Sequence, residues 1–97
     1  MSMRIEFSGV LIEWRGPSPF HFVPLTPQAC DDVAQLADEL SYGWGVVPVT
    51  VVVGRTEFTT SLIPRDGGYL LPVKDAVRRA EGLGLADEVV VAMRLGS

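Results

Sequence analysis

The sequence predicts a mainly β protein in which six strands form a small, partly open barrel accompanied by two short helices. Apolar and polar residues alternate over much of the chain with the period of two that strands require. Two further segments combine an early proline with apolar residues at helical spacing. The first strand changes its apolar phase at Gly9, as expected where a bulge bends a long strand into a barrel.

Composition excludes several classes of protein. A chain of 97 residues predicts a single domain over residues 1–97, and its 47% apolar and 21% charged residues are typical of a globular one. No apolar run approaches the ~18–20 residues of a membrane span, and no signal peptide is visible. A single cysteine excludes an intrachain disulfide and favours the cytoplasm. The net charge of −4 makes nucleic acid and anionic membranes unfavourable partners.

The first two strands are predicted on either side of a turn. In the first strand, the inward residues are expected at positions 3, 5 and 7 before Gly9 and at positions 10, 12 and 14 after it. Residues 15–19 contain one glycine and two prolines, which is typical of a turn. Residues 20–23 form the second strand, which Pro24 closes.

The first helix is predicted from Thr26 and Pro27, a hydroxyl cap followed by proline at the first helical position. It ends near Ser41, and residues 43–45 form its exit loop. Its apolar face is made by residues at spacings of three and four: Ala29, Val33, Leu36, Ala37 and Leu40.

Residues 46–53 and 58–63 predict a hairpin, joined by a short connection that contains Gly54. Pro48 is expected near a sheet edge because proline cannot donate to a strand ladder. Four valines should share one face of the first strand and oppose three residues of the second: Val47, Val49, Val51 and Val53 against Phe58, Thr60 and Leu62.

The last third of the chain predicts a strand, a helix and a closing strand. The short strand covers residues 69–71, and the helix runs from about Pro72 to Glu81 with Gly82 as its stop. The closing strand covers residues 88–95, with alternate residues pointing inward: Val89, Val91, Met93 and Leu95.

Four short segments carry a resemblance over nearly the whole chain: Gly43-Trp44-Gly45, Thr60-Ser61-Leu62-Ile63-Pro64, Gly68-Tyr69-Leu70-Leu71-Pro72-Val73-Lys74 and Val77-Arg78. In these the sequence resembles a family of small bacterial domains known only as domain of unknown function nineteen-zero-five. The resemblance implies a small, partly split β-barrel with short helices at its ends, and no activity. The chain departs from the family pattern at Ala86, where such domains usually have glycine before Asp87, so a different turn geometry is expected.

Residues 69–91 are also similar to the AbrB/MazE swapped-hairpin transcription factors. The similarity rests on four short matches: Leu71-Pro72, Val77-Arg78-Arg79, Gly82-Leu83 and Asp87-Glu88-Val89. Those factors dimerise and bind DNA through basic residues, so the resemblance implies a DNA-binding regulator. A shared structural unit is an analogy of fold, from which function does not follow.

Lys74 and Arg78 form the candidate ligand site. They are four residues apart on one helix face, where like charges destabilise a helix by ~0.2–0.5 kcal/mol. An anion held between them would remove that repulsion, with Thr60 or Ser61 donating hydroxyls. The commoner arrangement pairs the two cations with carboxylates, such as Asp66, Glu57 or Asp87, or leaves them pointing into water.

The other chemistry-bearing residues have ordinary structural interpretations. His21 is expected as a solvated strand residue and Cys30 as a small, buried or half-buried apolar one. One histidine and one cysteine do not make a usual zinc site, so no metal or cofactor is expected. Trp14, Trp44 and Tyr42 are expected to cap the ends of the barrel core.

The leading functional prediction is a non-catalytic binding module for a small anionic ligand, contacted by Lys74, Arg78, Thr60 and Ser61. The alternative is a DNA-binding regulator of the swapped-hairpin type, which the acidic net charge opposes. A small enzyme is a third class, for which spacing shows no acid-base or nucleophile pair. A monomer or a weak homodimer is expected.

Overall fold

The structure is a computed structural model that describes residues 3–14, 20–40 and 46–96, with residues 37–40 described by their backbone alone. The predicted turn at 15–19, the helix end at Ser41, the exit loop at 43–45, and Tyr42 and Trp44 lie outside the described residues. So do the side chains of Ala37 and Leu40. The elements are β1 (Met3–Val10), β2 (Ile12–Trp14), β3 (Phe20–Pro24), α1 (Pro27–Leu40), β4 (Val47–Val53), β5 (Thr56–Arg65), β6 (Gly68–Pro72), α2 (Asp75–Glu81) and β7 (Glu88–Leu95).

The seven strands form one curled antiparallel sheet in the order β1-β7-β4-β5-β6-β3-β2. The two outermost strands of this order, β1 and β2, are consecutive in the chain and are separated only by Leu11. The chain thus passes from one end of the sheet to the other across a single residue, which curls the sheet. The predicted β architecture with two helices is confirmed, with seven strands rather than six because the first strand divides at Leu11.

Leu11 is held by the turn that precedes β7. Its N–H donates to the carbonyl of Asp87 at 2.9 Å, and its own carbonyl accepts from the N–H of Ala86 at 3.0 Å. Its side chain is only 1% exposed and belongs to the core. Ala86 has a φ of 70°, which is the left-handed conformation that glycine favours. The turn therefore has the backbone conformation expected if glycine stood at position 86.

The predicted bulge at Gly9 is wrong. Gly9 pairs with Val89 within an unbroken β1–β7 register, and the inward phase continues past it, so that Val10 is 46% exposed. A different constraint acts on this residue. A Cβ at position 9 would lie 2.7 Å from the carbonyl oxygen of Pro24 and 2.8 Å from Cγ1 of Val23. Glycine is needed because β1 passes against β3 with no room for a side chain.

The β4–β5 hairpin has the predicted faces. Val49 lies opposite Thr60, and the four inward valines of β4 are all buried. The connecting turn is shorter than predicted, because Val53 pairs directly with Thr56, and Gly54 takes a φ of 60° at its first position. Pro48 precedes the β4–β7 pairing, which begins at Val49, so its missing N–H interrupts no bond to β7.

Helix α1 begins as predicted. The N–H of Ala29 donates to Oγ1 of Thr26 at 3.2 Å, which confirms the cap. Val33 is fully buried in the core between the helix and the sheet.

Helix α2 begins at Asp75, later than predicted, because Pro72 continues β6 opposite Phe22. Lys74 is the N-cap residue, and its side chain makes no capping hydrogen bond. The helix ends as predicted at Gly82, which has a φ of 64°. Val77 of this helix completes the core.

Candidate functional site

The predicted ligand-contacting residues lie on different surfaces. Lys74 is exposed, and the N–H of Arg78 donates to its carbonyl at 3.0 Å, so these two residues are one helical turn apart. Thr60 and Ser61 are consecutive in β5, and consecutive side chains of a strand point to opposite faces. Thr60 faces inward opposite Val49, while Ser61 lies on the outer face. The structure therefore places Lys74 and Arg78 one helical turn apart and separates the two hydroxyls from each other.

Asp75 is the ion-pair partner of Arg78. Nη2 of Arg78 donates to Oδ1 of Asp75 at 3.0 Å, whereas the expected partners were carboxylates more distant in the chain. The late start of α2 explains this, since it places Asp75 three residues before Arg78 on the first turn. The hydrogen bond from Arg78 is the main cause that holds the pKa of the Asp75 carboxyl below its usual range. Desolvation opposes it, and the charges of Arg78, Arg79 and His21 add to it.

Nε of Arg78 is buried and has no hydrogen-bond partner among the described residues. The side chain as a whole is half-buried, with 26% of its surface accessible. One of its donors is therefore satisfied by Asp75 while another is unpaired, and a buried unpaired donor is unfavourable.

His21 is buried, with 8% exposure, so the prediction of a solvated histidine is wrong. It shares a strand face with buried Val23, and this alternation was the signal that sequence reasoning missed. Nε2 lies 3.4 Å from Oε2 of Glu13, and Nδ1 lies 4.0 Å from Oδ1 of Asp75. The carbonyl of His21 accepts from the N–H of Val73 at 2.9 Å. The result is a network of charged and polar groups that connects β2 and β3 to the start of α2.

The ion-pair partners of His21 in the described part of the chain are the carboxylates of Glu13 and Asp75. The burial of His21 leaves little of the ring open to a substrate. Asp75, at the α2 end of the network, is exposed.

Trp14 lies on the outer face, 39% exposed, so the prediction that it caps the core is wrong. Its ring meets Phe22 edge-on at 5.8 Å, and the guanidinium carbon of Arg65 is 3.3 Å from its ring centroid.

Two clefts, of about 300 and 420 Å³, adjoin this stack and share Cys30. The expected half-burial of Cys30 is confirmed. Its thiol is directed to the carbonyl of Leu25 at 3.9 Å.

The described backbone covers residues 3–14, 20–40 and 46–96, and side chains are described for all of these except 37–40. Among the described side chains, no three of His, Cys, Asp or Glu are placed so as to hold a metal ion. No helix in the same ranges has both the length and the apolar character required to span a membrane.

Comparison with known proteins agrees with the resemblance seen in the sequence. The family described as Domain of unknown function (DUF1905) matches residues 7–93, which is nearly the whole chain. No curated protein matches the chain. The match spans all the strands of the curled sheet except the first residues of β1 and the last of β7. The chain therefore belongs to the DUF1905 family, whose function is unknown.

Proposed function

We propose that this domain is a non-catalytic binding module of the bacterial cytoplasm that binds a small anionic ligand through Lys74 and Arg78. The observation that supports the proposal is the buried, unpaired Nε of Arg78. Leaving a buried donor unpaired costs ~1–3 kcal/mol. A ligand oxygen that reached this donor would offset that cost, and the negative charge of the ligand would strengthen the bond.

Lys74 supplies a second positive group beside the same helix turn. Its side chain is exposed and makes no ion pair with any described residue. Lys74, Arg78 and Arg79 carry three positive charges against the two carboxylates of Asp75 and Glu13, so the local charge favours an anion. Of the two predicted hydroxyls, Thr60 and Ser61, at most one can contribute to the same ligand, because they occupy opposite faces of β5. The single cysteine supports a reducing compartment.

The test is a titration of the full chain with inorganic phosphate at constant ionic strength, followed through backbone amide chemical shifts. The proposal predicts saturable shifts over residues 73–82 that matched chloride does not produce. Arg78→Lys keeps the charge and removes Nε, so it should weaken binding about as much as Lys74→Ala does. Arg55→Ala, in the β4–β5 turn, is the matched control and should leave the affinity unchanged.

Two results would contradict the proposal. Equal shifts with phosphate and chloride would leave Lys74 and Arg78 as ordinary surface charges. Binding of duplex DNA would support the regulator alternative instead, provided that Lys74→Ala lowers affinity on all sequences and reduces the salt slope by about one.

A further inference from the structure

A row of cationic and hydroxyl side chains crosses the outer face of the sheet. Strands β1, β7, β4 and β5 are neighbours, and their registers align Arg4, Arg94, Thr50 and Thr59. All four residues are exposed or half-buried. Neighbouring strands are ~4.8 Å apart, so this arginine–threonine row is ~14 Å long. The four residues are separated from one another in the sequence, so the row exists only because the sheet pairs their strands.

The adjoining row places its carboxylates at the two ends. It consists of Glu6, Ala92, Val52 and Glu57, in the same strand order. The centre of this row is therefore apolar where it borders Arg94 and Thr50. A depression of about 160 Å³ opens between the two rows, lined by Arg4, Thr50, Val52, Glu57, Ala92, Met93 and Arg94.

Arg4 and Arg94 are directly opposite each other in the β1–β7 pair. Like charges in this arrangement destabilise a sheet. Nη2 of Arg4 donates to Oε1 of Glu6 at 3.1 Å, an exposed ion pair that only partly offsets this repulsion. Arg94 makes no ion pair or side-chain hydrogen bond within the described part of the chain. The pair thus retains unused donors and a repulsion that a negative group between the arginines would remove.

We propose that the arginine–threonine row binds the tetrahedral oxyanion group of a small molecule, of the phosphate or sulfate ester class. The two guanidinium groups provide charge and paired donors, and Thr50 provides a hydroxyl. Glu6 and Glu57 at the ends of the adjoining row repel a second anionic group, so the ligand carries one such group. The uncharged remainder of the ligand lies on the apolar centre of the adjoining row, at Ala92 and Val52. This site uses the outer face of the sheet and none of the residues of α2.

The experiment is a titration of the full chain with inorganic phosphate, read at the amides of residues 4, 50 and 94 at constant ionic strength. The proposal predicts saturable shifts there, with chloride as the reference ion. Arg94→Gln keeps a side chain of similar length without its charge, and it should weaken phosphate binding by at least ~10-fold, the effect of ~1.4 kcal/mol. Arg4→Gln serves as a second variant of the same site and should act in the same direction. Arg55→Gln removes an arginine elsewhere and should have no effect.

A further measurement separates binding from folding. Because Arg94→Gln relieves a like-charge contact, its thermal midpoint should be no lower than that of the wild type in the absence of phosphate. The proposal is overturned if the shifts at residues 4, 50 and 94 are the same with chloride, or if Arg55→Gln weakens binding as much as Arg94→Gln. The amides of residues 73–82 report the α2 site in the same titration, so failure of one site is distinguishable from failure of the other.

Discussion

Gly9→Ala tests the close approach of β1 and β3 that the curled sheet requires. The added Cβ would lie 2.7 Å from the carbonyl oxygen of Pro24. That oxygen is part of the backbone, so no side-chain rotation can relieve the contact. Cγ1 of Val23, at 2.8 Å, belongs to a side chain that is fully buried. One of the two strands must therefore move.

The expected size of the effect follows from two opposing contributions. Overpacking of a well-packed interior costs ~1–3 kcal/mol. Replacing glycine by alanine also lowers the conformational entropy of the unfolded chain, which stabilises the folded state by ~0.4–1 kcal/mol. We therefore expect Gly9→Ala to lower the free energy of unfolding by about 1–2 kcal/mol, with the m-value unchanged, in urea unfolding followed by circular dichroism.

Gly84→Ala is the matched control for this measurement. Its Cβ would lie 3.5 Å from Oδ2 of Asp87, an ordinary van der Waals contact. The control should be as stable as the wild type or slightly more so. If Gly9→Ala proves as stable as Gly84→Ala, then β1 and β3 are not in contact and the description of the curled sheet is wrong.

Two further predictions concern a strained turn and an ion pair. Ala86 holds a φ of 70°, which costs an L-residue ~1–2 kcal/mol. Ala86→Gly should therefore raise the free energy of unfolding, and with it the urea midpoint. The gain should be at most ~1 kcal/mol, because glycine also increases the entropy of the unfolded chain. A lower midpoint would show that this turn is not strained. In the folded protein the pKa of Asp75 is lowered, chiefly by the hydrogen bond from Arg78. The stabilisation that the Asp75 carboxylate contributes is therefore fully present above its unfolded pKa of ~3.9. It is lost as the pH falls through the lower pKa of the folded state. The stability difference between wild type and Asp75→Asn should therefore shrink between pH ~5 and pH ~2 in thermal melts, and a constant difference would exclude the pairing.

Local pattern determined the elements and their faces. The inward valines of β4 and the alternate apolar residues of β7 are buried as predicted, because a strand directs every second side chain to the same face. Thr26 and Gly82 mark the helix boundaries for equally local reasons, a hydroxyl cap and a left-handed stop. The start of α2 was predicted too early because proline suits both the end of β6 and the first turn of a helix.

Tertiary structure alone decided which strands became neighbours and therefore which side chains meet. Gly9 is required by β3, which approaches it from the other end of the sheet, and not by a bulge in its own strand. His21 meets Glu13 and Asp75 only because β2 pairs with β3 and α2 begins beside them. Arg4 meets Arg94 only because the first and last strands pair. Alternation along a strand is set by the geometry of two consecutive residues, so a local interpretation of the sequence can predict it. Strand pairing depends on the path of the whole chain, so a local interpretation cannot predict which strands become neighbours.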